Sequence, residues 1–186
     1  DDDVKSNVYN GSPYTADYEF AAKKRIETLK KAFLNINDDM AKEIKAFELE
    51  NDWLTDYALY MAVKENENGK PWWEWSNSHA HYYQCIKDIY SYEQEAAFWK
   101  FVQFIFYRQW NEIKEYANNR GIAIIGDMPI YVAMDSVDVW SNLPMFLIDE
   151  KTLKVEKVAG VPPDYFSENG QLWGNPIYDW NAMKKD

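Results

Sequence analysis

Residues 122–127 read Ile122-Ala123-Ile124-Ile125-Gly126-Asp127, an apolar run that ends on a glycine and a carboxylate. A short continuous apolar run is typical of a parallel β-strand that is buried on both faces. An apolar helical pattern that stops at Gly121 comes just before it, so the two segments resemble the αβ half of a βαβ unit. Asp127 falls where the strand emerges, at the end that carries the chemistry in parallel α/β barrels. The stretch therefore predicts an α/β fold, with Asp127 either in a site or capping the turn before Pro129.

The residues before this run predict a helix-rich region. Apolar residues spaced three or four apart indicate an amphipathic helix from Tyr18 to Leu34, and Asn37 is placed to cap a second helical stretch that ends near Asn68. A capping box, Ser91-Tyr92-Glu93-Gln94, predicts the start of a long helix. That helix is so rich in aromatic residues that we expect other structure to cover both of its sides.

Two further patterns allow alternative interpretations. The aromatic cluster Pro71-Trp72-Trp73-Glu74-Trp75 either fills the junction between helices as core or provides a platform on which a sugar could stack. His79 and His81 are spaced as His-x-His, but a metal site needs three or four ligands, so we expect hydrogen-bonded or solvated histidines. Further along, residues 146–149 and 154–158 flank a short polar segment and predict a hairpin.

Composition excludes several functional classes. The 186 residues contain 20 Lys and Arg against 31 Asp and Glu, a net charge of −11, which argues against nucleic acid or an anionic membrane as a partner. A content of 47% apolar residues argues against disorder. The single cysteine, Cys85, excludes an internal disulfide, and no apolar run approaches the ~20 residues of a membrane span. We therefore expect a cytoplasmic protein that is not in a membrane.

Two long motifs carry a resemblance to a known family. The first begins Gly126-Asp127-Met128-Pro129-Ile130 and runs to Trp140; the second runs from Val158 to Ser167 and continues through Gly170-Gln171-Leu172-Trp173-Gly174-Asn175-Pro176 to Trp180. Their order and spacing resemble the 4-alpha-glucanotransferases, also called amylomaltases or disproportionating enzymes, of glycoside hydrolase family seventy-seven. The similarity extends from about Tyr18 to the C-terminus.

This resemblance implies a fold and an activity. The fold would be a partial TIM (β/α)8 barrel with a mainly helical insertion, divided into a tail at 1–17, a helical subdomain with a barrel helix at 18–120, and a barrel strand with substrate loops at 121–186. The activity would be transfer of α-1,4-glucan segments between maltodextrins or starch by a retaining double displacement, in which one carboxylate attacks and another protonates the leaving oxygen. No cofactor and no metal is implied.

The catalytic residues of the family do not occur in this sequence. Its nucleophile lies in an Arg-Ile-Asp-His-Phe-Arg motif downstream of the Asn-Pro-x-Tyr-Asp-Trp segment, and the other catalytic carboxylates come later still. The 186 residues end at Asp186 without that motif. We therefore expect a fragment of a larger enzyme that is inactive alone, with no catalytic residue of its own. Its exposed barrel edge would favour self-association.

The resemblance does imply substrate-binding residues. Asp127, Gln171 and Trp173 match positions that contact the bound glucan, although core packing is the alternative for Trp173. Asp164 and Ser167 lie in a proline-stiffened loop that would overhang the active site and offer polar contacts. Tyr57 lies in a helical region that provides a secondary glucan site in some relatives. The motif residues Asp135 and Asp138 are expected mainly to serve the turn and the packing around Trp140.

Two other functions remain compatible with the sequence. The segment could be a non-catalytic α-glucan-binding module, or a helical interaction domain that binds no sugar. Saturable binding of a maltodextrin would favour a sugar site over the interaction domain.

Overall fold

Helices make up most of the regular structure. The computed structural model describes residues 2, 5 and 7–185. Its helices are α1 (Tyr18–Phe33), α2 (Asp38–Glu50), α3 (Trp53–Asn66), α4 (Asn77–Ala80), α5 (Tyr82–Cys85), α6 (Glu93–Asn118), α7 (Val137–Ser141) and α8 (Trp180–Met183), with 3-10 turns at Trp72–Glu74, Ile86–Tyr92 and Leu143–Met145. Two strands, β1 (Val158–Val161) and β2 (Gln171–Pro176), pair antiparallel. None of the described helices is both long and apolar enough to cross a membrane.

Helix α1 begins and ends within one residue of its predicted bounds, whereas the predicted second stretch is divided into α2 and α3 by a break at Asn51 and Asp52. The carboxylate of Asp17 accepts a hydrogen bond from the Phe20 amide, and the Asn37 side chain accepts one from the Met40 amide, each at 2.9 Å. These bonds satisfy amides that have no partner within the first helical turn. After α3, Asn68 and Gly69 take φ values of 59° and 74°, the left-handed conformation that ends a helix.

The predicted capping box at Ser91 is wrong. Ser91 belongs to the 3-10 turn Ile86–Tyr92, and α6 starts at Glu93 with Tyr92 as its N-cap and without a capping hydrogen bond from a side chain. Because the 3-10 turn leads directly into the α-helix, the backbone of Ser91 is already helical. It lacks the extended conformation from which a serine hydroxyl reaches forward to a helix amide.

Among the described residues, the cover that other helices provide for α6 lies mainly over its first half. Its buried residues are Ala96, Phe98, Phe101 and Phe104, which pack against α1, α2 and α3. In its second half Phe106, Trp110, Ile113 and Tyr116 are between 40% and 62% exposed. Within the described residues, the expected cover on both sides of this helix is therefore absent from most of its second half.

The main core is built on the tryptophan cluster. Trp72 and Trp140 are 0% and 2% exposed, and the ring of Trp75 lies edge-on to Trp140 at 5.7 Å. The indole of Trp72 donates a hydrogen bond to the carbonyl of Met134 at 2.7 Å. These contacts confirm the core interpretation for Trp72 and Trp75. Cys85 is fully buried in the same core, and burial raises the pKa of its thiol to about 11.

The predicted buried strand at 122–127 does not form within the described chain. These residues have no strand assignment, and Ile122, Ile124 and Ile125 are 59%, 41% and 94% exposed. A buried parallel strand needs neighbouring strands at its edges and helices over its faces. Residues 2, 5 and 7–185 supply no partner strand for it; their one sheet, β1 with β2, lies later in the chain.

The predicted hairpin is present in a short form. Ile148 and Val155 form one antiparallel bridge, and the Asp149 amide donates to the Lys154 carbonyl at 3.0 Å. The Asp149 carboxylate accepts hydrogen bonds from the amide and the hydroxyl of Thr152, which closes the turn. These bonds also hold the pKa of Asp149 below its usual value.

Candidate functional site

A loop between the two strands forms one side of the candidate site. The strands align Gly160 with Leu172 and Val161 with Gln171, and residues 162–170 connect them. Gly170 has φ +72°, and a Cβ atom there would lie 2.5 Å from the carbonyl oxygen of Val161. Both the conformation and the close approach require glycine, so the sequence fixes where the chain turns into β2.

Asp164 and Ser167 shape this loop from inside. One oxygen of the Asp164 carboxylate accepts hydrogen bonds from the amides of Phe166 and Ser167 at 2.9 and 2.8 Å. The Ser167 hydroxyl donates to the Gly170 carbonyl at 2.7 Å. Asp164 is nevertheless exposed, and a carboxylate has lone pairs for further donors. Its carboxylate can therefore hold the loop and accept a hydrogen bond from a ligand at the same time.

The loop displays two aromatic rings to solvent. Tyr165 and Phe166 are 98% and 88% exposed and stand perpendicular to each other with 5.7 Å between ring centres. Neither residue is among the site candidates that the sequence predicts. The available signal was two adjacent aromatic residues in a loop that otherwise contains proline and polar side chains.

Gln171 and Trp173 lie side by side on β2. Residues two apart in a strand point to the same face, and here the indole Nε1 donates to the amide oxygen of Gln171 at 3.0 Å. Trp173 is 46% exposed, so it does not pack as core among the described residues. This face of β2 therefore presents an apolar ring beside an amide.

A set of aromatic rings adjoins Trp173. Tyr131 meets it edge-on, with centres 6.2 Å apart, and stacks against Tyr178 at 5.9 Å with the planes only 10° apart. The Asn175 side chain donates to the Val132 carbonyl at 2.9 Å. The segment that follows residues 122–127 is thereby attached to β2.

Asp127 lies on the exposed part of that segment. Its carboxylate accepts a hydrogen bond from the Met128 amide at 2.8 Å, which agrees with the turn-capping alternative. None of the described contacts joins Asp127 to Gln171 or Trp173. Asp127 lies on the same segment as Tyr131, but among the described contacts no other predicted site residue touches it.

Tyr57 lies apart from these residues, on α3. Its ring is 6.0 Å from that of Trp53, which in turn lies 5.8 Å from Tyr107 on α6. Desolvation raises the pKa of the Tyr57 hydroxyl, in spite of a hydrogen bond with Gln103. The predicted residues thus fall in three places. Gln171 and Trp173 on β2 lie beside the loop that carries Asp164 and Ser167, Asp127 lies on the exposed segment before Tyr131, and Tyr57 lies in a helical aromatic cluster.

Asp135 connects the segment before α7 to the helices. Its carboxylate accepts hydrogen bonds from the Tyr60 hydroxyl at 2.6 Å, from the Trp72 amide at 3.3 Å and from the Lys64 ammonium. Burial and the nearby Asp135 charge raise the pKa of Tyr60 strongly. This geometry agrees with the expectation that Asp135 serves packing, and Asp138 is an exposed residue in the first turn of α7.

The histidines are hydrogen-bonded. His79 Nδ1 lies 2.7 Å from the Glu67 carboxylate and its Nε2 lies 2.9 Å from the Tyr92 hydroxyl, while His81 Nδ1 lies 2.9 Å from the Asn77 carbonyl. The hydrogen bond with His79 outweighs partial burial and lowers the pKa of Glu67. In the part of the chain that the structure describes, no three His, Cys, Asp or Glu side chains are grouped to hold a metal ion.

Comparisons with known proteins agree on one family. A family profile described as 4-alpha-glucanotransferase matches residues 2–186. A 4-alpha-glucanotransferase of Synechocystis sp. is 45% identical over 182 residues, covering 92% of this chain and 36% of the relative. One from Clostridium butyricum is 41% identical, covering 99% of this chain and 38% of the relative.

A solved structure is also similar. It is the amylomaltase from Streptococcus agalactiae in complex with acarbose, with a TM-score of 0.87 and 38% sequence identity. The similarity covers 99% of this chain and 38% of that one. The chain therefore spans less than two fifths of the length of these relatives.

Proposed function

The chain belongs to the 4-alpha-glucanotransferase family, and from that membership we propose that it is part of an enzyme that transfers α-1,4-glucan segments between maltodextrins or starch chains. The proposed route is the retaining double displacement of the family, in which a glucan takes the place of water as acceptor. Within that enzyme we assign glucan binding, and no catalytic carboxylate, to these 186 residues. No cofactor or metal takes part in this proposal.

The pair formed by Gln171 and Trp173 carries the proposal. Glucose has an apolar C–H face and a rim of hydroxyl groups, so it suits a half-exposed indole next to a hydrogen-bonding amide. The Gln171 amide keeps donor hydrogens in addition to the oxygen that Trp173 occupies. Support also comes from the related amylomaltase, whose complex contains acarbose. We propose that Asp127, Asp164 and Ser167 add polar contacts, and that Tyr57 belongs to a separate glucan site.

The exposed apolar run at 122–127 supports the proposal that this chain forms part of a barrel in the parent enzyme. Its isoleucines suit a strand with both faces covered, and in the parent enzyme we assign it to the TIM barrel, with residues 18–120 as the helical insertion and barrel helix. Since the Arg-Ile-Asp-His-Phe-Arg motif is not among the 186 residues, we propose that they have no transferase activity alone. Glucose release from maltotriose by the purified chain would contradict that assignment.

Calorimetric titration with maltoheptaose tests glucan binding. We expect saturable binding by the 186-residue chain, weakened about three- to tenfold by Trp173→Ala, the range that corresponds to one aromatic contact. The matched control is Trp110→Ala, because Trp110 is 40% exposed but lies on α6. It should bind like the unaltered chain. Absence of saturable binding by the folded chain, or equal losses in both variants, would refute the glucan site on β2.

A further inference from the structure

The indole of Trp173 has little support from its own strand. Its neighbour Leu172 is 80% exposed, and Gly174, which follows it with φ +80°, has no side chain to pack against the ring. The ring is restricted by a hydrogen bond to Gln171 and by an edge-on contact with Tyr131. Gln171 is itself exposed and has a flexible side chain. We therefore expect the contact with Tyr131 to restrict the indole more strongly than the hydrogen bond to Gln171.

Tyr131 is held by structure that does not belong to the binding face. Its ring stacks on Tyr178, whose backbone forms an antiparallel bridge with Phe146 and whose ring lies 5.3 Å from the Phe146 ring. Phe146 is only 6% exposed and belongs to the main core. Backbone hydrogen bonds from Leu147 to Ile177 and from Asp179 to Met145, both 2.8 Å, fasten the same two segments together. A line of packed rings thus leads from the core to Trp173.

We infer that Tyr131 is a positioning residue, which holds the Trp173 indole in the orientation that accepts a sugar ring. A ring that is already ordered loses less conformational entropy when a ligand binds. Ordering the ring in the free protein therefore strengthens ligand binding. The edge-on geometry comes from the ring and not from the hydroxyl, which predicts that phenylalanine can replace Tyr131 and alanine cannot. This inference rests on the proposed function for its sugar ligand, but the ordering of the indole can be measured without sugar.

Relaxation of the Trp173 indole N–H by nuclear magnetic resonance tests the ordering. The resonance is assigned as the one that Trp173→Phe removes. We expect an order parameter near ~0.85 in the unaltered chain and in Tyr131→Phe, falling below ~0.6 in Tyr131→Ala. The eight other indole resonances should keep their values and serve as the control for folding. An indole that is equally ordered in Tyr131→Ala, or already mobile in the unaltered chain, overturns the inference.

A double-mutant cycle with maltoheptaose tests the consequence for binding. Tyr131→Ala should weaken binding about three- to tenfold, Tyr131→Phe should bind like the unaltered chain, and Tyr131→Ala should have no further effect once Trp173 is alanine. Additive losses would show that Tyr131 acts independently of Trp173 and would overturn the inference. If the unaltered chain binds no maltoheptaose, the proposed function fails, while the relaxation measurement still decides whether Tyr131 holds the indole.

Discussion

Replacing Asp135 by alanine should destabilise the fold substantially. The carboxylate accepts hydrogen bonds from Tyr60, Lys64 and the Trp72 amide, so one substitution removes three contacts between the segment before α7 and the helical body. The Tyr60 residue is 4% exposed, and its hydroxyl would lose a charged partner in a place where water is scarce. The substitution would therefore leave the buried Tyr60 hydroxyl without its hydrogen-bond acceptor.

The magnitude follows from the exposure of each partner. A hydrogen bond from a buried hydroxyl to a charged group contributes about 1.5–3 kcal/mol, and the long bond from the Trp72 amide about 0.5–1 kcal/mol. The side chains of Lys64 and Asp135 are 22% and 34% exposed, so their ion pair is partly screened. We assign it about 0.5–1 kcal/mol. Because such terms are not fully additive, we expect a loss of about 3 kcal/mol.

Urea unfolding followed by tryptophan fluorescence measures this loss, because Trp72 and Trp140 are buried in the core that Asp135 joins. In a chain of this size about 3 kcal/mol also corresponds to a melting temperature lower by about 6–12 °C. Asp135→Asn keeps a neutral acceptor for Tyr60 and should lose about 1.5–2 kcal/mol, from the ion pair and from the weaker hydrogen bond. The control is Asp138→Ala, an exposed position that should stay within about 0.5 kcal/mol of the unaltered chain. An Asp135→Ala variant as stable as that control would refute the reasoning.

Two further predictions concern pH and association. The folded pKa of Glu67 is lowered by its bond with His79, so its contribution to stability is present above the unfolded pKa of about 4.3 and is lost as pH falls through the lower folded value. The urea midpoint should therefore fall more between pH 6 and pH 3 in the unaltered chain than in Glu67→Gln; parallel curves would contradict this linkage. The exposed apolar run predicts self-association of the chain, which Ile125→Asp should reduce because Ile125 is 94% exposed. Sedimentation velocity measures it, with Asp138→Ala as control, and an unchanged distribution in Ile125→Asp would exclude the run as the contact.

Local signals in the sequence predicted local structure well. Asn37 caps α2 as predicted, because a capping side chain acts on amides two or three residues away and the whole interaction is contained in a short window. Ser91 shows the limit of this reasoning. Its window has the correct residues, but Ile86, Ile89 and Tyr92 of the preceding 3-10 turn pack against the main core, and no local window contains that contact.

The candidate site was only partly predictable. Gln171 and Trp173 were found through the family motif, whereas Tyr131 and Tyr178 meet across many intervening residues and no local pattern joins them. The run at 122–127 is apolar, which suits a strand with both faces covered. Whether a strand forms depends on neighbours, which the described residues do not provide.

The fully buried thiol of Cys85 can react only when the core around it opens. Burial raises the pKa of this thiol to about 11, so both access and the reactive thiolate are suppressed while the core is intact. Because it is the only cysteine in the sequence, a thiol reagent has one place to react. The rate at which a thiol reagent labels Cys85 therefore reports how readily the tryptophan core opens, without denaturant.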